Sequence, residues 1–419
     1  MGVTVRSFYI ISAESRLRAG FSFVIFVTLA LLLSACATQS YHYESTSSFP
    51  ISDRAKSETK GKITISASVP GEAEAQAIFG IPIYDRGIQP VWLNIENNSE
   101  ERVRFAPTGV DPDYFSPLEV AYMHRKGFTK EARRQMNQRF YRSAMPRHIP
   151  AGESRSGYVF THASKGTKAF NVDIFSGGVD ESFAFFITVP GFVPDHQSVD
   201  FDNLYDRSEI HDYDLAGLRT GLENLPWFCT DQSGEQQGLP LGIVIVAPGI
   251  DVLLSLLRAG WHESPKIRDE NQLAKANYLF GRIPDAVFRN EGAGGRERNE
   301  LNLWLAPMLI EGKEVWLAQI VHFIGQRTQL EQAVFGARID PDVDEGRNYL
   351  LQNVWYAQSL EQVGWMAGSG SVSIESARYD FNSLEYFTDG YRIVIWLSGE
   401  PVSLLETRRA AIDDPPFTR

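Results

Sequence analysis

One cysteine and three arginines are the residues of this sequence whose types and spacing offer chemistry most openly. Cys36 ends the run "LLLSAC", where Leu33, Ser34 and Ala35 precede it in the order of a bacterial lipobox. In such a site the chain is cut before the cysteine and the thiol is diacylated; two acyl chains are what stable anchoring needs. Arg296 and Arg298 follow the glycine-rich stretch "NEGAGG", and Arg282 stands in "FGRIPD". Fixed guanidinium charges beside backbone amides suit a phosphate or a carboxylate. The stretch lacks the Gly-Lys-Ser/Thr ending of a P-loop and does not lead from a strand into a helix. A flexible approach to a hairpin is the alternative role. On a strand Arg296 and Arg298 would share one face with Glu300, so the pair needs either an internal carboxylate or an anionic ligand.

Other chemical motifs fail on spacing. "IDPDVDEG" sets Asp340, Asp342 and Asp344 two apart, as a calcium loop would. An EF-hand needs Gly at its sixth position and Glu at its twelfth; Glu345 and Leu351 stand there. Helix initiation explains the same residues, with Asp340 as N-cap and Pro341 behind it. The eight histidines are scattered, and His211 with Asp212 and Asp214 has no second His or Cys at ligand spacing. No serine sits in a Gly-x-Ser-x-Gly elbow and no dinucleotide fingerprint occurs. His322 in "IVHFIG" reads as a half-buried strand residue. The sequence therefore predicts no metal, no cofactor and no nucleophile.

The elements around Cys36 read as an address. Arg6, Arg16 and Arg18 precede an apolar core over Gly20–Leu33. A helix of that length rises about 21 Å, short of the ~30 Å hydrocarbon layer, so a cleaved leader fits better than a span. Residues 1–35 carry a net +2, which leaves the remaining chain near −14 against −12 for all 419 residues. Such acidity disfavours nucleic acid as a partner. Cys229 is the one other cysteine, so no internal disulfide is expected once Cys36 carries lipid. Residues 36–61, polar and poor in aliphatics, read as a tether.

Two halves follow. Residues 62–192 hold short strands with turn signals, among them "VWLNIEN", where Val91, Leu93 and Ile95 share a face. This half is expected to be an all-β, immunoglobulin-like sandwich with a helical insertion over Pro117–Ser143. Seven Lys/Arg against one Glu in "YMHRKGFTKEARRQMNQRFYRS" would serve anionic lipid headgroups or an envelope partner. A solvated helical face would look the same. Residues 193–225 read as a linker with a short helix through Leu215, Leu218 and Leu222. Residues 226–400 give strand "LGIVIVAP", helix "IDVLLSLLRAGW", a hairpin turning at Glu311-Gly312, helix "DVDEGRNYLLQNVWYAQSL" and strand "YRIVIWLS". That order predicts an α+β domain of split βαβ, ferredoxin-like type, with 401–419 as a tail.

"LPLGIVIVAPGIDVLLSLLRAGW", "ANYLFGRIPDAVF", "RERNELNLWL", "KEVWLAQ" and "RIDPDVDEGRNYLLQNV" resemble, in order and spacing, the LssY C-terminal-like family. The family occurs as bacterial lipoproteins and behind membrane phosphatase-type domains, with no settled activity. "YFSPLEVAY", "IPAGESRSGYVFTHASKGTKAFNVDIF" and "FFITVPGF" are similar to the front domain of its lipoprotein version. The family's second-strand motif reads Arg-x-Arg-His-His-x-Arg-x-Trp. Arg296, Arg298 and Trp304 match it, but Asn299, Glu300 and Asn302 replace the two histidines and the third arginine. Any chemistry those imidazoles perform in relatives is not expected here. The expectation is an outer-membrane lipoprotein, anchored through Cys36 and facing the periplasm, with a non-catalytic binding or assembly role. The alternative is a hydrolase of phosphate-bearing or lipid substrates, using Arg282, Arg296 and Arg298 as anion contacts.

Overall fold

The computed structural model describes residues 39–177, 180–265, 273, 275–292, 296–324 and 338–414, with the backbone alone at 180, 291–292 and 296–298. The leader, Cys36 and Ala293–Gly295 lie outside them. The protein is β-rich and multi-domain, 40% strand and 23% helix in several sheets. Among the described residues the chain forms two compact units. One is the chain up to Ala55 with Gly61–Ala163; the other is Lys56–Lys60 with everything from Ser164. The contact boundary thus falls at 163/164, upstream of the 193–225 segment at which the sequence suggests a division. No helix among the described residues is long and apolar enough to cross a membrane.

In the first unit β1 (Ile63–Ser68), β2 (Ile88–Asn97) and β3 (Glu153–His162) form an antiparallel sheet with β2 central. Val91, Leu93 and Ile95 are fully buried on one face of β2. Among the described residues three α-helices complete the unit. α1 (Glu72–Phe79) opens with Glu74 accepting from the Gly71 amide at 2.9 Å and ends on Gly80, at φ +67°. The sequence reading missed this helix. α2 (Pro117–Met123) starts on a Ser116/Glu119 capping box, and α3 (Lys130–Ser143) on Thr129. Both fall in the insertion read from the sequence. At the centre of their core Phe79 stacks on Phe140 at 5.0 Å and meets Phe160 edge-on at 5.2 Å. The start of the tether packs onto this core: Tyr41 and Ile51 are buried, because aromatic area does what the missing aliphatics could not.

The second unit is built on one long sheet. Its main strands are β6 (Ile243–Val246), β7 (Trp261–Glu263), β8 (Ala286–Gly292), β9 (Arg296–Ile310), β10 (Lys313–Ile324), β11 (Leu360–Ala367) and β12 (Tyr391–Leu397), while β4 (Thr167–Phe175) and β5 (Asp180–Thr188) form a hairpin in the same unit. The order is β7-β8-β9-β10-β6-β12-β11. β6 is fully buried on both faces, as a bare apolar strand must be. β12 runs parallel to β6 because the unanticipated β11 precedes it and pairs antiparallel with it.

Helices α4 (Gly249–Arg258) and α5 (Val343–Tyr356) cover one face, setting Val252, Leu256, Leu350 and Val354 against Ile243, Ile245 and Leu303. The other face buries Val244, Trp304 and Val394 under Leu218, Leu222 and Leu239. Three local readings shift. Asp342, not Asp340, caps α5, through a 3.2 Å bond from the Asp344 amide. The helix of the supposed linker spans Leu218–Glu223 only, leaving Leu215 exposed. Within the tail, Arg408–Arg409 pairs with β11. Glu311 and Gly312 have φ +50° and +75°, the paired positive values of a tight hairpin turn.

Candidate functional site

The segment after β5 is a strap across the helix-bearing face of the sheet, and it builds one wall of a cavity. Pro194 ends the extended run, and a short 3-10 turn follows at Asp195–Ser198. Asp195 anchors it: its amide donates to the Ser264 carbonyl at 3.2 Å, and its carboxylate accepts from the Val287 amide and the His196 amide, both at 2.8 Å. A second turn, Phe201–Asn203, sets Phe201 edge-on to Trp316 at 5.6 Å. The Tyr205 hydroxyl then donates to the Leu305 carbonyl at 2.7 Å.

Behind the strap lies a cavity of about 460 Å³, walled by Phe201, Val252, Leu253, Phe288, Leu303 and Trp316, with His196 and Glu314 as its polar members. Glu314 is engaged, accepting from the Gly249 amide at 2.7 Å and so capping α4. His196 stands between two carboxylates. Its Nε2 lies 3.5 Å from Glu263, which is buried in β7 and accepts from the Thr167 amide at 2.6 Å; its Nδ1 lies 3.9 Å from Asp195. Burial pushes the Asp195 carboxyl up to about 7 against the pull of its two amide donors, and the Glu263 charge adds to the rise. Burial lowers the basicity of His196, with Glu263 opposing. An apolar cavity of this size with few polar groups suits a small, largely apolar ligand. A histidine held by a carboxylate at its wall could also move a proton. Sequence reading missed this cluster: Asp195 and His196 stand in an acidic, turn-rich stretch, and only the fold brings Glu263 to them.

The residues singled out from sequence lie elsewhere. Cys36 is outside the described residues. Arg282 holds Asp285 through two bonds of 2.7 and 2.9 Å, donates to the Leu305 carbonyl at 2.7 Å, and lies over the Tyr205 ring. Asp285 in turn accepts from the Leu305 amide at 2.8 Å. Arg282 therefore clamps the irregular stretch of β9 beyond Leu305. The backbones of Arg296 and Arg298 stand at the far end of that strand, on the order of 20–30 Å from Leu305 at ~3.3 Å per residue. The fold does not gather the three arginines into one cleft. Glu300 is bound to Arg289 at 3.0 Å.

Of the three positions at which the sequence departs from the resembled motif, Asn299 and Asn302 bring amides to the sheet and Glu300 a carboxylate. Asn302 donates to Gln319 at 2.9 Å, as does Asn277 at 3.2 Å, and Asn299 faces His322 at 2.9 Å. A second ion-pair group locks α5: Arg347 is buried, bound to Asp389 at 2.6 and 2.9 Å and 3.2 Å from Asp344. Burial raises the Asp344 carboxyl, with Arg347 opposing. Among the described residues no three His, Cys, Asp or Glu side chains are grouped to hold a metal. Cys229 is buried and its thiol is pushed up to about 12, so it is inert.

Residues 221–391 match the family model described as LssY C-terminus. The chain carries an LssY C-terminus domain. No curated protein matches the chain. The LssY C-terminus match includes α4, β6 and β8–β10 but begins after the strap, so the Asp195–Phe201 wall of the cavity lies outside it.

Proposed function

We propose that this protein is a non-catalytic binding lipoprotein of the bacterial envelope, anchored in the outer membrane through Cys36, facing the periplasm, and taking an apolar ligand in its second unit. The cavity behind the strap carries the reading. Its walls are hydrocarbon and aromatic, and the charged groups around it already have protein partners. The address rests on the leader pattern, the lipobox-like site and Ala37, which is not the Asp associated with inner-membrane retention. On the same footing we read residues 62–192 as immunoglobulin-like. We read 226–400 as a split βαβ sheet that adds β7, β8 and β11 to the four strands of the ferredoxin-like order. Replacing Cys36 with Ala tests the anchor. Wild type should incorporate a clickable fatty acid and the variant should persist as an unlabelled precursor; labelling that survives the change would refute lipidation.

A second reading, a hydrolase acting on lipid or phosphate-bearing substrates, draws support from His196. Its imidazole opens on the cavity and its Nε2 faces Glu263. Release of fatty acid or phosphate by wild type, lost in His196→Gln, would favour it over binding alone.

A further inference from the structure

The described chain begins against the turn between α2 and α3. The Gln39 amide donates to the Gly127 carbonyl at 3.2 Å, and the Thr129 amide donates to Gln39 at 3.3 Å. The next residues stay down. Tyr41 is buried, its ring 6.2 Å from Phe128 and its hydroxyl donating to the Phe79 carbonyl at 2.7 Å. Arg139 on α3 bonds the Ile78 and Glu44 carbonyls and lies over the Tyr43 ring at 4.5 Å. Cys36 is three residues upstream of Gln39 in the sequence, and three residues of chain span at most about 11 Å.

The surface there is basic and aromatic. Arg125, Lys126 and Lys130 are exposed, and among the described residues none has a carboxylate partner. Arg125 lies over the ring of Tyr122, itself 59% exposed, at 3.7 Å. The local acid, Glu131, is held by Arg134 in a 2.9 Å bond. Cations within a Debye length of an acidic leaflet are drawn to it, and tyrosine favours the headgroup level.

We infer that the α2–α3 turn is a membrane-docking surface, whose occupant is the anionic phospholipid leaflet that holds the lipid anchor. The inference rests on lipidation at Cys36. A short, pinned connection brings Arg125, Lys126 and Lys130 to the headgroups, so the first unit lies against the bilayer instead of swinging on a tether.

The lipidated protein, reconstituted into vesicles, tests this. With Cys36 acylated and Cys229 buried, Lys126→Cys gives one labelling site for a nitroxide, and Glu100→Cys, on an exposed loop of the same unit, gives a control. In phosphatidylcholine vesicles containing phosphatidylglycerol, the label at 126 should be shielded from an aqueous nickel relaxant at least ~fivefold over the control, the scale one headgroup cation sets. Adding Arg125→Ser and Lys130→Ser, both exposed, should remove the shielding without changing the melting temperature. A label at 126 as wet as the control on anchored protein would overturn the docking alone. Shielding that ignores both the anionic lipid and the two substitutions would overturn the electrostatic recognition. Protein that carries no acyl chain at Cys36 would remove the premise, and fatty-acid labelling reads that separately.

Discussion

The Arg282 guanidinium closes three bonds at once, two to Asp285 and one to the Leu305 carbonyl, so its removal strands a carboxylate that is 98% enclosed. Arg282→Ala should therefore cost about 2–4 kcal/mol in urea unfolding. Added phosphate should leave the wild-type melting temperature unchanged if Arg282 serves the fold and holds no ligand. Asp195 makes a pH-dependent prediction. Its folded value, about 7, lies above the ~3.9 of an unfolded aspartate. The folded chain thus holds this proton more tightly, and the group's contribution to stability falls as pH rises from about 4 to about 7. His196, lowered by burial, works the other way, losing stability as pH falls below ~6.5. Asp195→Asn removes only the first dependence. Its urea midpoint should gain on wild type between pH 5 and pH 8; parallel profiles would show that Asp195 titrates normally.

Elements whose pattern is local were legible. β6 is a pure apolar run, α4 carries Leu253, Leu256 and Leu257 before Gly260, and Gly312 marks the hairpin turn with a positive φ that glycine adopts freely. β11 was not legible, because Gln362 and Gly364 interrupt its alternation and its identity as a strand comes from pairing with β12. The strap was not legible either: its acidic, turn-rich sequence is that of a linker, and only Phe201 and Tyr205 show that it packs on the sheet. The tether failed for a related reason, since Tyr41 is buried by tertiary contact with Phe79 and Phe128. Gly80 tests that packing. It adopts φ +67°, and a Cβ there would stand 1.9 Å from the His42 carbonyl oxygen. Gly80→Ala should cost ~1–3 kcal/mol from the left-handed backbone and the clash together. It should also expose residues 39–44 to limited proteolysis; unchanged protection would mean that the segment is held by something other than α1.

At the scale of the whole molecule, two features of the second unit bear on its role. The LssY C-terminus domain carries the amides of Asn299 and Asn302, bonded to His322 and Gln319, in its sheet, and the strap adds a wall from outside the matched residues. On the function proposed above, both favour holding a ligand over transforming one. The central claim, an apolar ligand in the cavity, is tested most directly by photo-crosslinking. A diazirine-bearing fatty acid is added to the purified lipoprotein, and its adducts are mapped by peptide mass spectrometry. Adducts should concentrate on Val252, Leu253, Phe288 and Trp316, and Leu253→Trp, which fills the space, should abolish them. Adducts elsewhere only, or adducts at these residues that persist unchanged in Leu253→Trp, would contradict the account.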